Sequence, residues 1–205
     1  TKKARHPMKT TPLIAALLLS FGASASFAQT AASTVQRDVN QETRIEQGLK
    51  SGQLNTREAA RLEHEEAKVD RLQTQALKDG KLSPAEQARL KAAQNRSSQD
   101  IYAAKHNDVK GNPQSASSQR MQADVQRNVN QQQRIENGIQ NGSVTNHEAA
   151  KLEHGQARVE HKEARAGRDG HVGAAEQANI QHAENRQSRR IYKQKHDAQV
   201  RGEKS

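Results

Sequence analysis

Carboxylates at two predicted helix turns have the spacing that comes closest to a metal site: Asp79, Glu86, Asp169 and Glu176. In each turn a glycine is followed by an apolar residue two positions later and by glutamate six positions later, as in an EF-hand calcium loop. The positions that supply the first ligands of such a loop hold Gln75 and Leu77 in the first turn. Because Ca²⁺ needs several hard oxygen ligands, these turns predict at most weak Ca²⁺ binding.

The same turns also have the sequence of a helix stop followed by a helix start. Gly80 suits the positive φ that ends a helix, Ser83 suits the N-cap, and Glu86 closes a capping box three residues later. A cap of this kind is worth about 1 kcal/mol. Since capping explains more of the pattern, we favour it over a metal-binding role for these carboxylates.

Three histidines are spaced seven residues apart on one predicted helix: His147, His154 and His161. Seven helical residues rise about 10.5 Å, so these rings share a face but cannot share one metal ion. The chain also has no His-x-x-x-His pair, a spacing that chelates metals on a helix. Solvated histidines are the favoured interpretation, and low-affinity binding of a divalent cation is the alternative.

Four basic residues follow helical spacing near the end of the chain: Arg186, Arg189, Arg190 and Lys193. A strip of this kind attracts polyanions such as nucleic acid, lipopolysaccharide or a glycan. The chain has no aromatic platform for base stacking, so sequence-specific nucleic-acid binding is not expected. A solvated basic face is the simpler interpretation, and polyanion binding is the alternative.

The composition excludes several classes of site. The 205 residues carry a formal net charge of +10, contain no cysteine or tryptophan, and include two phenylalanines and two tyrosines. Disulfides, thiolate metal sites and cysteine nucleophiles are therefore excluded. No Ser-His-acid combination or phosphate-binding glycine loop is found, so we predict a protein that is not an enzyme and has no resident cofactor.

The first 28 residues have the features of a secretory signal peptide. Met8 and Lys9 open a short basic start, an apolar run covers residues 13–19, and small residues precede a cleavage site after Ala28. The run is too short to span a bilayer. Residues 1–7 precede the expected start. We predict a periplasmic or secreted protein with no transmembrane segment in the mature chain.

An internal duplication covers most of the remaining sequence. Residues 35–107 align without a gap to residues 125–197, and 34 of the 73 pairs are identical. We predict a helical repeat at 33–106, a second at 123–196, a flexible linker at 107–122 and a disordered tail at 197–205. Glycine, proline and serine in the linker support that division.

Each repeat is predicted to form three helices, at 34–49, 55–78 and 83–106 in the first repeat. The second repeat places them at 124–139, 145–168 and 174–196. Apolar residues form only a narrow stripe along these helices, more like a helix–helix seam than a broad core. The predicted fold is all-α, with two tandem three-helix units and a marginal core that self-association or a protein partner would complete.

Several motifs of the repeat resemble those of a group of small exported bacterial proteins. They include Gly52-Gln53-Leu54, the segment Asp79-Gly80-Lys81-Leu82-Ser83-Pro84-Ala85-Glu86, and Ile101-Tyr102 with Lys105-His106. The resemblance implies an exported helical domain with EF-hand-like turns, and it implies no activity. The leading hypothesis is a non-enzymatic exported protein that acts by protein interaction or self-association.

Overall fold

The structure is a computed structural model that describes residues 22–197, with side chains described from residue 31 onward. Its six α-helices are Gly22–Ser51 (α1), Thr56–Ala76 (α2), Pro84–Lys105 (α3), Ala116–Gln140 (α4), Asn146–Ala166 (α5) and Ala174–Lys195 (α6). A 3-10 turn, Gly167–Asp169, follows α5. The all-α prediction is confirmed across these residues, which contain no strand. None of the described helices is long and apolar enough to cross a membrane.

Two sequence predictions lie partly outside the described residues. The predicted signal peptide covers residues 1–28, of which 1–21 are not described and 22–28 belong to α1. The predicted tail from 198 onward is likewise outside the described residues. Export and cleavage therefore stay predictions.

The predicted linker is shorter in the structure than in the sequence analysis. Helix α4 begins at Ala116, with the Ser115 side chain accepting a hydrogen bond from the backbone N–H of Ser118 at 3.1 Å. Residues 116–122, predicted as linker, are therefore helical. The remaining segment packs against the turn between α1 and α2, since Gly111 donates its N–H to the Gly52 carbonyl at 3.0 Å. A Cβ at Gly111 would overlap the Leu54 carbonyl oxygen, so only glycine fits there.

The most extensive helix contacts join the first half of the chain to the second. Helix α1 packs mainly against α4, and α2 packs mainly against α5, whereas α1 and α2 contact each other much less. Helix α3 packs against α1 and α2, and α6 packs against α4 and α5. The narrow stripe predicted for these helices therefore packs α1 against α4 and α2 against α5.

Two apolar clusters lie at opposite ends of this bundle. One combines the start of α1 with the end of α4, including Val35 and Ile139, and the other combines the end of α1 with the start of α4, including Ile45 and Val125. Paired helices are therefore antiparallel. The middle of the bundle, between the clusters, is occupied by polar side chains.

The capping box predicted for Ser83 and Glu86 is confirmed at the start of α3, and the starts of α2 and α5 have the same arrangement. Asn55, Ser83 and Thr145 each accept a hydrogen bond from the N–H of a glutamate three residues later, and that glutamate accepts one from the cap residue. Gly80 and Gly170 end their turns with φ of 81° and 90°, a conformation that favours glycine. These local signals are why the helix starts follow from the sequence.

Replacing Gly173 with serine should stabilise the protein. Gly173 is the N-cap of α6 and has no side chain to cap the helix, although its N–H donates to Glu176 at 2.8 Å. Its φ of −76° is open to any residue, and an added Cβ comes no closer than 3.4 Å to another group. We expect Gly173→Ser to raise the free energy of unfolding by about 0.5–1 kcal/mol. Urea denaturation measures this, and Ser83→Gly at the matching cap should lower it; a loss on adding serine would contradict the capping account.

Candidate functional site

The carboxylates of the two turns, for which capping was favoured over metal binding, serve as turn and cap groups in the structure. The Asp79 carboxylate accepts the N–H of Lys81 at 2.9 Å, and the Asp169 carboxylate accepts the N–H of His171 at 2.9 Å. Glu86 accepts the N–H of Ser83, the N-cap of α3, and Glu176 accepts the N–H of Gly173, the N-cap of α6. No three His, Asp or Glu side chains within residues 22–197 are arranged to hold a metal ion.

The strip predicted on α6 is exposed, and the structure divides it. Arg190 and Lys193 line a groove of about 600 Å³ that α6 forms with α5 and the end of α2. Arg186 and Arg189 are exposed but do not line that groove. The groove instead brings in Lys151 and other cations of α5, so the strip is one edge of a larger basic surface.

Three adjoining grooves make this surface, which we call the basic face. The second groove, of about 240 Å³, shares Arg158 with the first, and the third, of about 350 Å³, shares Arg165 with the second. The cations that line them are Arg57, Arg61, Arg71, Lys78, Lys151, Arg158, Lys162, Arg165, Arg168, Arg190 and Lys193. They cover most of the length of α2 and α5, about 30 Å for 21 residues.

The positive charge of the basic face is not balanced locally. No aspartate or glutamate lines any of the three grooves. None of the eleven cations belongs to a salt bridge within the described part of the chain. Arg57 donates instead to the backbone carbonyl of Asp169 at 2.8 Å. Concave surfaces lined by charge of one sign concentrate the electrostatic potential and attract ions of the opposite sign.

The predicted row of histidines lies on this same face. His147 and His154 line the largest groove, and His161 lies with its ring centroid 6.1 Å from that of His64. The pKa of His161 is lowered, first by burial and then by the neighbouring charge of Arg71. The histidines are therefore part of a cationic surface and do not form a shared metal site in the described residues.

Many of the acidic side chains lie inside the bundle. Ten carboxyl groups, each at most 1% exposed, lie in its middle layer: Asp38, Glu42, Glu63, Glu66, Asp70, Asp124, Glu153, Glu160, Glu163 and Glu184. We call these the interior carboxyls. No lysine, arginine or histidine is buried with them in the described structure. The chain has 23 acidic residues in total, so almost half of its acids are removed from the surface.

Burial raises the pKa of every interior carboxyl. The pKa of Asp38 and of Asp124 rises to about 7, and that of Glu184 rises to about 8, in each case chiefly because burial disfavours the charged form. Salt bridging of Arg127 to Glu184 at 3.1 Å limits this rise. Each interior carboxyl that keeps its proton at neutral pH adds one unit to the formal net charge of +10.

Amide side chains provide most of the hydrogen bonds that the interior carboxyls receive. Asp38 accepts from Gln73 and Gln94, and Glu163 accepts from Asn128 at 2.7 Å. Position 38 lies 90 residues before position 128, as does position 73 before 163. Positions 38 and 73 therefore hold an acid and an amide, whereas positions 128 and 163 hold an amide and an acid.

Sequence reasoning missed the interior carboxyls because it treated Glu and Gln as solvated helix formers. The available signal was their spacing. Ala59, Glu63, Glu66, Asp70 and Gln73 continue one another at intervals of three and four residues, which places them on one helix face. All five are buried. An acidic stripe in line with buried apolar residues is the pattern that distinguishes these acids from surface ones.

Comparison with known proteins gives no relative for this chain. No protein-family model, curated protein or solved structure matches it.

Proposed function

We propose that this is a non-enzymatic exported protein that binds a polyanion through the basic face. The observation that supports the proposal most strongly is the set of eleven groove-lining cations with no acid among them. Arginine and lysine at this density favour phosphate, sulfate or carboxylate groups repeated along a chain. Export itself rests on the predicted signal peptide.

The shape of the basic face favours an extended polymer over a compact anion. The grooves follow each other along α2 and α5, and the cations are distributed over that length. Neither Tyr102 nor Tyr192 lines one of the three grooves, so no tyrosine ring is placed there for a base to stack on. We therefore propose recognition of the charged backbone of a linear polyanion, with no selection of base sequence.

Self-association or a protein partner, the leading hypothesis from the sequence, has less support. The exposed large apolar residues of the described structure are Tyr102, Val109 and Tyr192. Both tyrosine rings stack on a histidine four residues later, with centroids 4.1 Å apart. Three scattered residues do not form the contiguous apolar patch typical of a stable protein interface.

We also propose that the chain consists of two copies of one three-helix unit. The 34 identities at a constant offset of 90 residues support this. Helices α5 and α6 begin and end 90 residues after α2 and α3. The extensive contacts of α1 with α4 and of α2 with α5 suggest that the two copies fold as one bundle.

Charge reversal on the basic face should weaken polyanion binding more than reversal elsewhere. Arg158 and Arg165 each belong to the shared edge of two grooves, so we expect Arg158→Glu with Arg165→Glu to lower heparin affinity by at least about tenfold at 0.1 M salt. The control is Arg89→Glu with Lys91→Glu, an equal charge change at exposed positions of α3. Fluorescence anisotropy with labelled heparin, and competition by inorganic polyphosphate, measure both. Equal losses in the two variants would contradict the proposed site.

A further inference from the structure

We propose that four interior glutamates form a binding site for a hard divalent cation such as Ca²⁺, Mg²⁺ or Mn²⁺ inside the bundle. This four-glutamate site takes side chains from α1, α2 and α5, namely Glu42, Glu63, Glu66 and Glu163. Each is at most 1% exposed. The site offers oxygen ligands without nitrogen or sulfur, which suits hard cations. It is separate from the turn carboxylates and from the basic face.

Glu42 gives the first sign that the site requires positive charge. Neither of its carboxylate oxygens accepts a hydrogen bond, although the side chain is 1% exposed. The charged groups that act on it are other carboxyls, first Glu66 and Glu163. Glu42 therefore points from α1 into acids of α2 and α5. A buried carboxylate without donors is stabilised only by a proton or a cation.

The donors around the site are too few for its oxygens. The Asn128 side-chain amide donates to Glu163 at 2.7 Å and to Glu63 at 3.3 Å, and the Ser97 hydroxyl donates to Glu66. The other five of the eight carboxylate oxygens accept no hydrogen bond. Glu63 and Glu163 also contact each other. The five unpaired carboxylate oxygens can thus be satisfied only by hydrogen-bond donors or by a positive charge.

Groups beyond the four glutamates do not supply that charge. Asp38, Asp70 and Glu160 add negative charge around the site when ionised. The guanidinium of Arg44 acts on Glu66 from its outer side, but its N–H groups are bonded to Ser98. From α4 and α6, Asp124 and Glu184 add further acid next to Glu163.

The positions that match the four glutamates at an offset of 90 residues form a second cluster, and most of its members are uncharged amides. The residues 90 positions from the four glutamates are Gln132, Glu153, Gln156 and Gln73, and all are buried. Gln132 donates to Glu153 at 3.2 Å, whereas the residues at the corresponding positions 42 and 63 are both glutamates, and no amide of Glu42 or Glu63 can donate to the other. Amides therefore fit these positions in this fold. Packing alone does not require carboxylates in the four-glutamate site.

Binding requires the glutamate side chains to converge. Within the described structure no three of these carboxylates surround one point at ligand distance. Three of the four come from different turns of α2 and α5, and each glutamate has rotatable bonds that move its carboxylate by several ångströms. Ligation by side chains from facing helices is a common way to build a metal site in a helical bundle.

The test measures thermal unfolding of the EDTA-treated protein at pH 8 with and without Ca²⁺, Mg²⁺ or Mn²⁺. We expect at least one cation to raise Tm by about 5–10 °C at a hundredfold excess over its Kd. Glu63→Gln and Glu42→Gln should each abolish that rise. Glu153→Gln, the exchange at the matched position of Glu63, should retain it, as should the turn variant Asp79→Asn with Asp169→Asn.

Three results would overturn the site. The first is that no cation raises the Tm of the wild-type protein, which leaves protons alone as the counter-charge. The second is that the rise in Tm is retained in both Glu63→Gln and Glu42→Gln. The third is that Glu153→Gln abolishes the rise as completely as Glu63→Gln does. Because glutamine already occupies position 132, the position that matches 42, Glu42→Gln is expected to fold. Calorimetric titration of the wild-type chain with the same cation gives an independent measure of binding.

Discussion

We expect the protein, in EDTA, to be more stable at pH 5 than at pH 8, with Tm lower by about 10 °C or more at the higher pH. The interior carboxyls have their pKa raised in the folded state, for example to about 7 for Asp38 and about 8 for Glu184. The folded chain therefore binds more protons than the unfolded chain, in which these groups titrate near pH 4. The stabilisation is fully present below pH 4 and is lost as pH rises through 7 to 8.

The slope of this dependence follows from the number of retained protons. For each carboxyl that is protonated only in the folded state, the free energy of unfolding falls by about 1.4 kcal/mol for every unit by which the pH rises. His161 acts in the opposite direction, because its lowered pKa favours the neutral ring in the folded state. One histidine is outweighed by ten carboxyls. Urea denaturation at several pH values measures the slope.

Replacing one interior glutamate with glutamine should reduce the dependence of stability on pH. We expect Glu42→Gln to raise the free energy of unfolding at pH 8 by about 1–3 kcal/mol, since it removes a buried carboxylate that has no hydrogen-bond donor. Glu65→Gln on the surface of α2 is the matched control and should change little. Stability that increases from pH 5 to pH 8 would show that the interior carboxyls are ionised and well paired.

The second large effect concerns Gly167, where one repeat has glycine and the other has leucine. A Cβ at Gly167 would lie 2.6 Å from the Met121 methyl and 2.8 Å from the Ala60 Cβ. We expect Gly167→Leu to cost at least about 3 kcal/mol, because the space is already filled. Met121→Ala alone should cost about 2–5 kcal/mol by leaving a cavity.

The double variant should recover much of this loss. At the opposite end of the bundle, Leu77 occupies the position that matches 167 and Ala31 occupies the position that matches 121, and both are buried in one cluster. The large and small residues are exchanged between the two ends. We expect Gly167→Leu with Met121→Ala to be at least about 2 kcal/mol more stable than the sum of the single changes. If the losses of unfolding free energy in the two single variants simply add in the double variant, the proposed exchange of large and small residues is contradicted.

The sequence alone was sufficient for the parts of the fold that depend on neighbouring residues. Ser83 with Glu86 defined a helix start, and Gly80 marked a turn, because caps and turns are made within a few residues. The start of α4 was misplaced. Its cap, Ser115, is followed by polar residues whose helical pattern is weak, and contacts with α2 and the turn after α5 hold them in place.

The packing of the helices and the basic face could not be predicted from neighbouring residues in the sequence. The choice of α4 as the main partner of α1 depends on contacts between residues far apart in sequence. The basic face has the same origin, since Lys78, Arg158 and Lys193, which line one groove, are far apart in sequence and come together only in the folded chain. The α6 strip was visible because its residues share one helix.

The salt dependence of polyanion affinity tests the proposed function most directly. Binding of the wild-type protein to heparin and to polyphosphate is measured at salt concentrations from about 50 to about 200 mM, with pH fixed. If six or more basic-face cations contact the polymer, affinity falls by about a thousandfold or more over this range. A change of less than about tenfold, or no binding at the lowest salt concentration, would contradict the proposal that the basic face binds a polyanion.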